Sequence, residues 1–169
     1  RDRKRAEYSN ALIDKIDNVI KDNDKVINPS AEAEVKYKGN NFTVLGKIKI
    51  KKINFYQPIL KENTKLAFNT SVVKMMGPDL NNPGNVSIAG HNYMKNVFFM
   101  KINKLVVGDI IIITDLSGKS LKYSVYEHNV ASADDPSYLA DNNNYVTEIT
   151  LVTCTKGGKE RYYVKARLK

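Results

Sequence analysis

Apolar residues follow two different periods along this chain, and the change between them divides it. From about Ala6 to Ile20, residues Leu12, Ile13, Ile16, Val19 and Ile20 recur at three- and four-residue spacing. That spacing predicts an amphipathic helix with one apolar stripe. Residues 1–5 ahead of it (RDRKR) read as a solvated charged run. The polar segment Lys21 to Ser30 contains Pro29, so the helix is expected to stop before that proline. Beyond it the period becomes two. In Val44–Ile53, Ile48 and Ile50 alternate with Lys47, Lys49 and Lys51, which predicts a half-buried strand with its lysines outward. Lys65–Phe68 and Val86–Ala89 read as short strands, the second preceded by the turn Asn81-Asn82-Pro83-Gly84-Asn85. Gly108-Asp109 opens the apolar run Ile110–Thr114, and Ser117-Gly118 turns it into Leu121–Val130 as a hairpin. A polar loop, Asp134–Asn144, then leads to the strands Thr147–Thr153 and Tyr162–Leu168, joined through Gly157-Gly158. One helical stretch interrupts the strands at about Met94–Leu105, with Phe98, Phe99, Ile102 and Leu105 on one face. Many short strands separated by turns predict a sandwich or a closed barrel.

Composition narrows the picture. The 169 residues suit a single core, and 42% hydrophobic content is enough to fill it. Lys and Arg outnumber Asp and Glu by 27 to 18, for a net charge of +9. The lysines are dispersed along strands, so the excess reads as a solvated basic surface rather than a nucleic-acid patch. Ten tyrosines are present, but no segment interleaves them with cations as a base-stacking platform would. No run of about 18 apolar residues occurs, so residues 1–169 do not themselves span a membrane as a helix. Membrane attachment is expected only through an anchor outside them.

The candidate chemistry is sparse, which makes it readable. A single cysteine, Cys154, excludes an internal disulfide and a multi-cysteine zinc site; two histidines exclude a histidine-rich metal cluster. Asp134, Asp135 and Asp141 share one loop, but their spacing does not match an EF-hand, and no metal or cofactor is expected. Cys154 ends the strand Thr150-Leu151-Val152-Thr153 and enters a glycine loop, a rigid perch with one open side. A lone cysteine is most often a small buried hydrophobe. A free thiol titrates at about 8.5 and needs a nearby base or cation to react well at neutral pH. His91 follows the strand Val86–Ala89 and Gly90, a glycine that would let the backbone turn sharply beside a histidine acting as acid and base. His128 lies within a strand and reads as structural. Arg161 opens the last strand seven residues after Cys154, close enough for both to reach one rim. By itself it reads as one more charged strand-end residue in a basic protein.

Together these residues carry a resemblance to the sortase family. Thr150-Leu151-Val152-Thr153-Cys154 matches the family's TLxTC signature, and Arg161-Tyr162-Tyr163-Val164-Lys165-Ala166 resembles its R-x-x-V-x-A final strand. Asn85 to His91 (NVSIAGH) looks like the family's histidine strand. Phe99-x-x-Ile102-x-x-Leu105-x-x-Gly108-Asp109 is similar to its F-x-x-L-x-x-L-x-x-G-D segment. Gly46-Lys47-Ile48-Lys49-Ile50 fits the first barrel strand, with Lys51 where proline is common.

The resemblance implies a mainly β fold: a closed eight-stranded barrel over residues 31–169, with an N-terminal helical extension at 1–30 and short connecting helices. It implies catalytic roles for His91, Cys154 and Arg161, and substrate contacts at Ala89, Val152 and Thr153. The implied reaction is cleavage of an LPxTG-like sorting signal between Thr and Gly, through a thioacyl intermediate on Cys154. The acyl group then passes to an amine of a cell-wall precursor or a pilin lysine, at the outer face of a Gram-positive cell membrane. The implied partners are surface proteins or pilins carrying that signal. Gly90-His91-Asn92 and the N-terminal helix resemble class B, but the short Ala131–Tyr145 connection lacks that class's helical insertion. The chain therefore reads as class A- or D-like. The alternatives are a cysteine peptidase that releases its acyl group to water, and a non-catalytic barrel that binds wall polymer.

Overall fold

A computed structural model describes residues 2–22, 32–93 and 97–169. Helix α1 (Asp2–Asp22) is followed by strands β1 (Ala33–Tyr37), β2 (Asn40–Ile50) and β3 (Phe55–Leu60). The one-turn helix α2 (Lys65–Phe68), β4 (Val72–Met76) and β5 (Gly84–Ala89) come next, then β6 (Ile110–Asp115), β7 (Ser120–Ser132), β8 (Thr147–Thr155) and β9 (Glu160–Leu168). The strands run in the order β2-β3-β4-β5-β8-β9-β7-β6, and β6 pairs back onto β2. Eight strands thus close a barrel, and β1 lies outside it on β2. Two neighbouring pairs are parallel, β3–β4 and β5–β8; the other pairings are antiparallel.

The sequence pattern of β2 explains how one strand serves two cores. Phe42 and Val44 pack with α1 residues Leu12, Ile13 and Ile16, whereas Ile48 and Ile50 join the barrel interior with Phe55, Ile88, Ile113, Tyr123 and Leu151. All four even-numbered positions would face one side of a regular strand. A register shift between Val44 and Gly46 turns the second half over, as an inserted residue does in a strand of period two. Gly46 sits at this switch, and a Cβ there would meet the Thr114 carbonyl oxygen at 2.3 Å. Closure of the barrel against β6 therefore needs glycine at this position.

The apolar stripe of α1 is where the spacing predicted it at Leu12, Ile13 and Ile16; the side chains of Val19 and Ile20 lie outside the described ones. Leu12, Ile13 and Ile16 are buried, each contributing roughly 1.5–3 kcal/mol. Polar contacts fix the helix's register: Ser9 donates to Gln57, and Asp17 Oδ1 accepts from Lys47 Nζ at 2.5 Å and from Tyr56 at 2.9 Å. The expected helix end before Pro29 lies outside the described residues.

Several local expectations are corrected. Lys65–Phe68 is a helical turn, not a strand, because Thr64 Oγ1 caps it by accepting from the Ala67 amide at 3.2 Å. The predicted helix at Met94–Leu105 begins outside the described residues and otherwise contains only a 3₁₀ turn at Ile102–Lys104. Phe99, Ile102 and Leu105 are all fully buried, and their strict three-residue spacing is the 3₁₀ period. The β2 strand ends at Ile50, and residues 51–53 form another such turn.

Candidate active site

The parallel pair β5–β8 brings two distant segments to one barrel rim. Ala89 is opposite Val152, so the chain beyond β5 and the end of β8 leave the sheet side by side. Two bonds extend the pairing past the last strand residues. The Gly90 amide donates to the Val152 carbonyl at 3.1 Å, and Thr153 Oγ1 donates to the Gly90 carbonyl at 2.7 Å. The second bond joins the residues that directly precede two candidates: Gly90 precedes His91, and Thr153 precedes Cys154. Gly90 is not in the left-handed region, so the sharp turn expected there is not its role. A Cβ would meet Val72 Cγ1 at 2.9 Å and Phe99 Cδ2 at 3.0 Å. The glycine is needed for packing.

On the other side of β8, Cys154 is directly opposite Arg161 in the antiparallel register with β9. Opposed residues point to the same face, with Cβ atoms roughly 5 Å apart. The connection is tight, with Gly157 and Gly158 at φ of 65° and 90°, values that favour glycine. Arg161 Nη1 donates to the Gly158 and Glu160 carbonyls at 2.9 and 3.2 Å, which holds this loop to its own strand. The Cys154 thiol is free and exposed. Asn92 Nδ2 donates to the Cys154 carbonyl at 2.8 Å, a third link between the histidine segment and β8.

Cys154, His91 and Arg161 all line one cleft of about 240 Å³. Ala89, Val152 and Thr153 also line it, each less than a tenth exposed, so they form its floor. Of the expected substrate contacts, Thr153 has its hydroxyl engaged by Gly90. The structure adds Phe68, Met75 and Tyr138 to the walls. Tyr138 stacks on Tyr163 (4.8 Å, 5°), and its hydroxyl is held above the usual phenol range by burial; Arg161 opposes that shift and Cys154 adds to it. An aromatic residue in the polar 134–144 loop was the available signal for this wall. His128 stands on β7 with its Nδ1 3.3 Å from the Tyr162 hydroxyl, apart from the residues that line the cleft. Among the described residues, no three of His, Cys, Asp and Glu converge as a metal site.

The His91 ring is half-buried. Its Nε2 lies 3.2 Å from Asn69 Oδ1, an acceptor, so Nε2 carries the hydrogen and Nδ1 is the basic nitrogen of the neutral ring. Burial holds its pKa below the usual histidine value, and the Arg5 cation adds to that. Both effects favour the neutral imidazole.

The fold and this cleft define a class: a closed β-barrel with one exposed thiol at its rim, facing an arginine across a strand pair. Residues 48–169 match the family model of the sortase domain, and the chain belongs to the sortase family. It is similar to a sortase D5 transpeptidase from Clostridium perfringens, with 29% identity over 98% of both chains and a TM-score of 0.71. A lid mutant of sortase A from Corynebacterium diphtheriae matches at 22% identity over 95% of both chains, with a TM-score of 0.69. Listeria monocytogenes sortase A matches at 24% over 75% of this chain and 87% of that one, with a TM-score of 0.67. These last two likenesses show the fold alone. No curated protein matches the chain. Family membership supports a cysteine transpeptidase in general, acting at the cell surface on sorting-signal substrates and amine acceptors. None of the described helices is long and apolar enough to cross a membrane.

Proposed function

We propose that this protein is an anchoring transpeptidase of the A- or D-like kind, with residues 31–169 as its catalytic unit and residues 1–30 as an extension. It cleaves an LPxTG-like sorting signal between Thr and Gly. The Cys154 thiol gives its proton to His91, and the sulfur attacks the scissile carbonyl. Arg161 stabilises the resulting oxyanion; two carbonyls occupy its Nη1, and the guanidinium has further N–H donors. When the C–N bond breaks, His91 returns the proton to the departing glycine amine, leaving a thioester on Cys154. An acceptor amine attacks that thioester, loses a proton and leaves with the acyl group, so the thiol is regenerated. The acceptor is an amine of a wall precursor or a pilin lysine, met at the outer face of a Gram-positive membrane, with any anchor outside residues 1–169.

The observation that carries this reading is the cleft shared by Cys154, His91 and Arg161. Its apolar floor of Ala89 and Val152 and its walls of Phe68 and Met75 suit the Leu and Pro of the signal. The test is a quenched LPxTG-type peptide library, with and without an excess of an amine, read by product mass and by adduct mass on Cys154. An adduct that is lost with Cys154→Ala, and an amide product with the amine, are expected. No cleavage and no adduct on Cys154 would sink the proposal; products released only to water would reduce it to a peptidase.

A further inference from the structure

Four side chains surround the His91 ring, one of them, Phe68, also a wall of the cleft. Tyr93 stacks on it with centroids 4.8 Å apart and planes at 24°. Phe98 meets it edge-on at 5.3 Å and 87°, and Phe68 stands 6.1 Å away. Asn69 takes the Nε2 hydrogen. Three of these neighbours are secured by the barrel: Phe98 is fully buried, Phe68 ends the capped turn α2, and Asn69 is that turn's C-cap. Tyr93 is different, because its anchor comes from the other end of the chain. Arg5 Nη1 donates to the Tyr93 hydroxyl, and the Arg5 guanidinium carbon lies 5.1 Å from the Tyr93 ring centroid. Arg5 is in turn held by α1, which docks through Leu12, Ile13 and Ile16.

We propose that Tyr93 and Arg5 are positioning residues for His91, a clamp through which the docked N-terminal helix holds the imidazole at the cleft. The inference rests on His91 acting there as proposed above. The bond His91 makes is to an amide, which orients the ring without stabilising its charge as a carboxylate would. Orientation about the remaining freedom falls to the ring stack. A stacking tyrosine on a connecting segment would exchange rotamers, and Arg5 holds it by two contacts of different kind, one polar and one cation–π. The clamp also has an electrostatic side. The charged or titratable groups around His91 are Arg5 and Tyr93 on the helix side and Cys154, Arg161 and Tyr138 across the cleft. Burial acts against the imidazolium and Arg5 adds to it, so both favour the neutral ring at His91.

The test uses the full chain and two readouts. The first is the NMR titration of the two histidine rings, assigned with His128→Gln, in wild type, Arg5→Gln, Tyr93→Phe and Tyr93→Leu. The second is the pH profile of kcat/KM for thioester formation with a sorting-signal peptide. In Arg5→Gln the His91 midpoint is expected to rise while His128 stays put, and the acid limb of the rate profile moves up with it. Tyr93→Leu is expected to lower kcat by about tenfold to a hundredfold with KM little changed, as small misplacements do. Tyr93→Phe, which keeps the ring, restores most of that rate. An unmoved His91 midpoint in Arg5→Gln, or wild-type kcat in Tyr93→Leu, overturns the clamp. If no peptide is cleaved by any form, the proposed function fails, and the titration still decides the Arg5 contact. If Tyr93→Leu unfolds, visible at His128, Arg5→Gln and Tyr93→Phe decide it.

Discussion

Replacing Thr153 with valine tests whether the two strand ends act as one unit. Thr153 is 5% exposed, and its hydroxyl donates at 2.7 Å to the carbonyl of Gly90. Valine keeps the shape but puts a methyl where the donor was, leaving a buried carbonyl without that partner. Such a loss costs about 1–3 kcal/mol. For a chain of this length each kcal/mol moves the melting temperature by about 2–4 °C, so a fall of about 2–12 °C is expected. The rate should respond more strongly, because the lost bond joins the residue before His91 to the residue before Cys154. A displacement of about 1 Å between reacting groups can cost a hundredfold. Thioester formation by Thr153→Val is therefore expected to slow by about tenfold to a hundredfold in kcat, with KM little changed because Ala89 and Val152 still line the cleft. Stopped-flow release of a quenched peptide and a calorimetric melt supply the two readouts. Thr153→Ser is the control: it keeps the hydroxyl and loses a methyl worth about 0.8 kcal/mol. A valine variant that melts and acylates like wild type would refute the reasoning, since the link would then carry neither stability nor alignment.

Three further outcomes are expected. Arg161→Lys should lose most of its single-turnover acylation rate, because an ammonium cannot hold the Gly158 and Glu160 carbonyls and an oxyanion in the guanidinium's fork geometry; a rate near wild type counts against the oxyanion role. Gly90→Ala should melt lower by the equivalent of about 1–3 kcal/mol, since its methyl meets Val72 and Phe99 at 3.0 Å or less; an unchanged melt would show that the site is not closely packed. The third concerns pH. The folded-state pKa of His91 is lowered, so as pH falls the unfolded chain takes up that proton first, near 6.5. The stability this residue contributes is present above 6.5 and is lost as pH falls toward the folded-state value. Urea midpoints measured from about pH 7.5 to about pH 5 should fall less steeply in His91→Gln than in wild type; equal slopes exclude the linkage.

The signals that were legible in the sequence were those with a strict period or a chemical signature. The α1 stripe, the alternation in β2 and the β6–β7 hairpin are of the first kind, and the Cys154, His91 and Arg161 segments are of the second. Three strands left no such signal. In β3 the residues Phe55, Gln57, Pro58, Ile59 and Leu60 are all buried, because the strand is covered by the barrel interior on one side and by the α1 core on the other. Such a strand shows no alternation, and its Pro58 argues against a strand at all. The short β1 and β4 offer too few residues for a period to be counted. The missed residues around the site have a related explanation. Tyr93 and Asn69 reach His91 from a connecting segment and a helix end, and their positions follow from tertiary docking that no local pattern encodes; for Tyr138 the one trace was an aromatic residue in a polar loop.

The parallel pairing of β5 with β8 also has a kinetic consequence. Gly90 and Thr153 are 63 residues apart in the chain, and the barrel seam joins Gly46 to Asp115 over a similar stretch. Contacts this remote incur a large loop-closure entropy before any pairing energy repays it, so they form late in folding. The β6–β7 hairpin and α1 can form locally beforehand, with Cys154 still far from His91. A refolding chain should therefore regain helical and hairpin signals in an early phase and thiol reactivity toward peptide only in the last one. Emergence of the active thiol is then itself a clock for closure of the barrel.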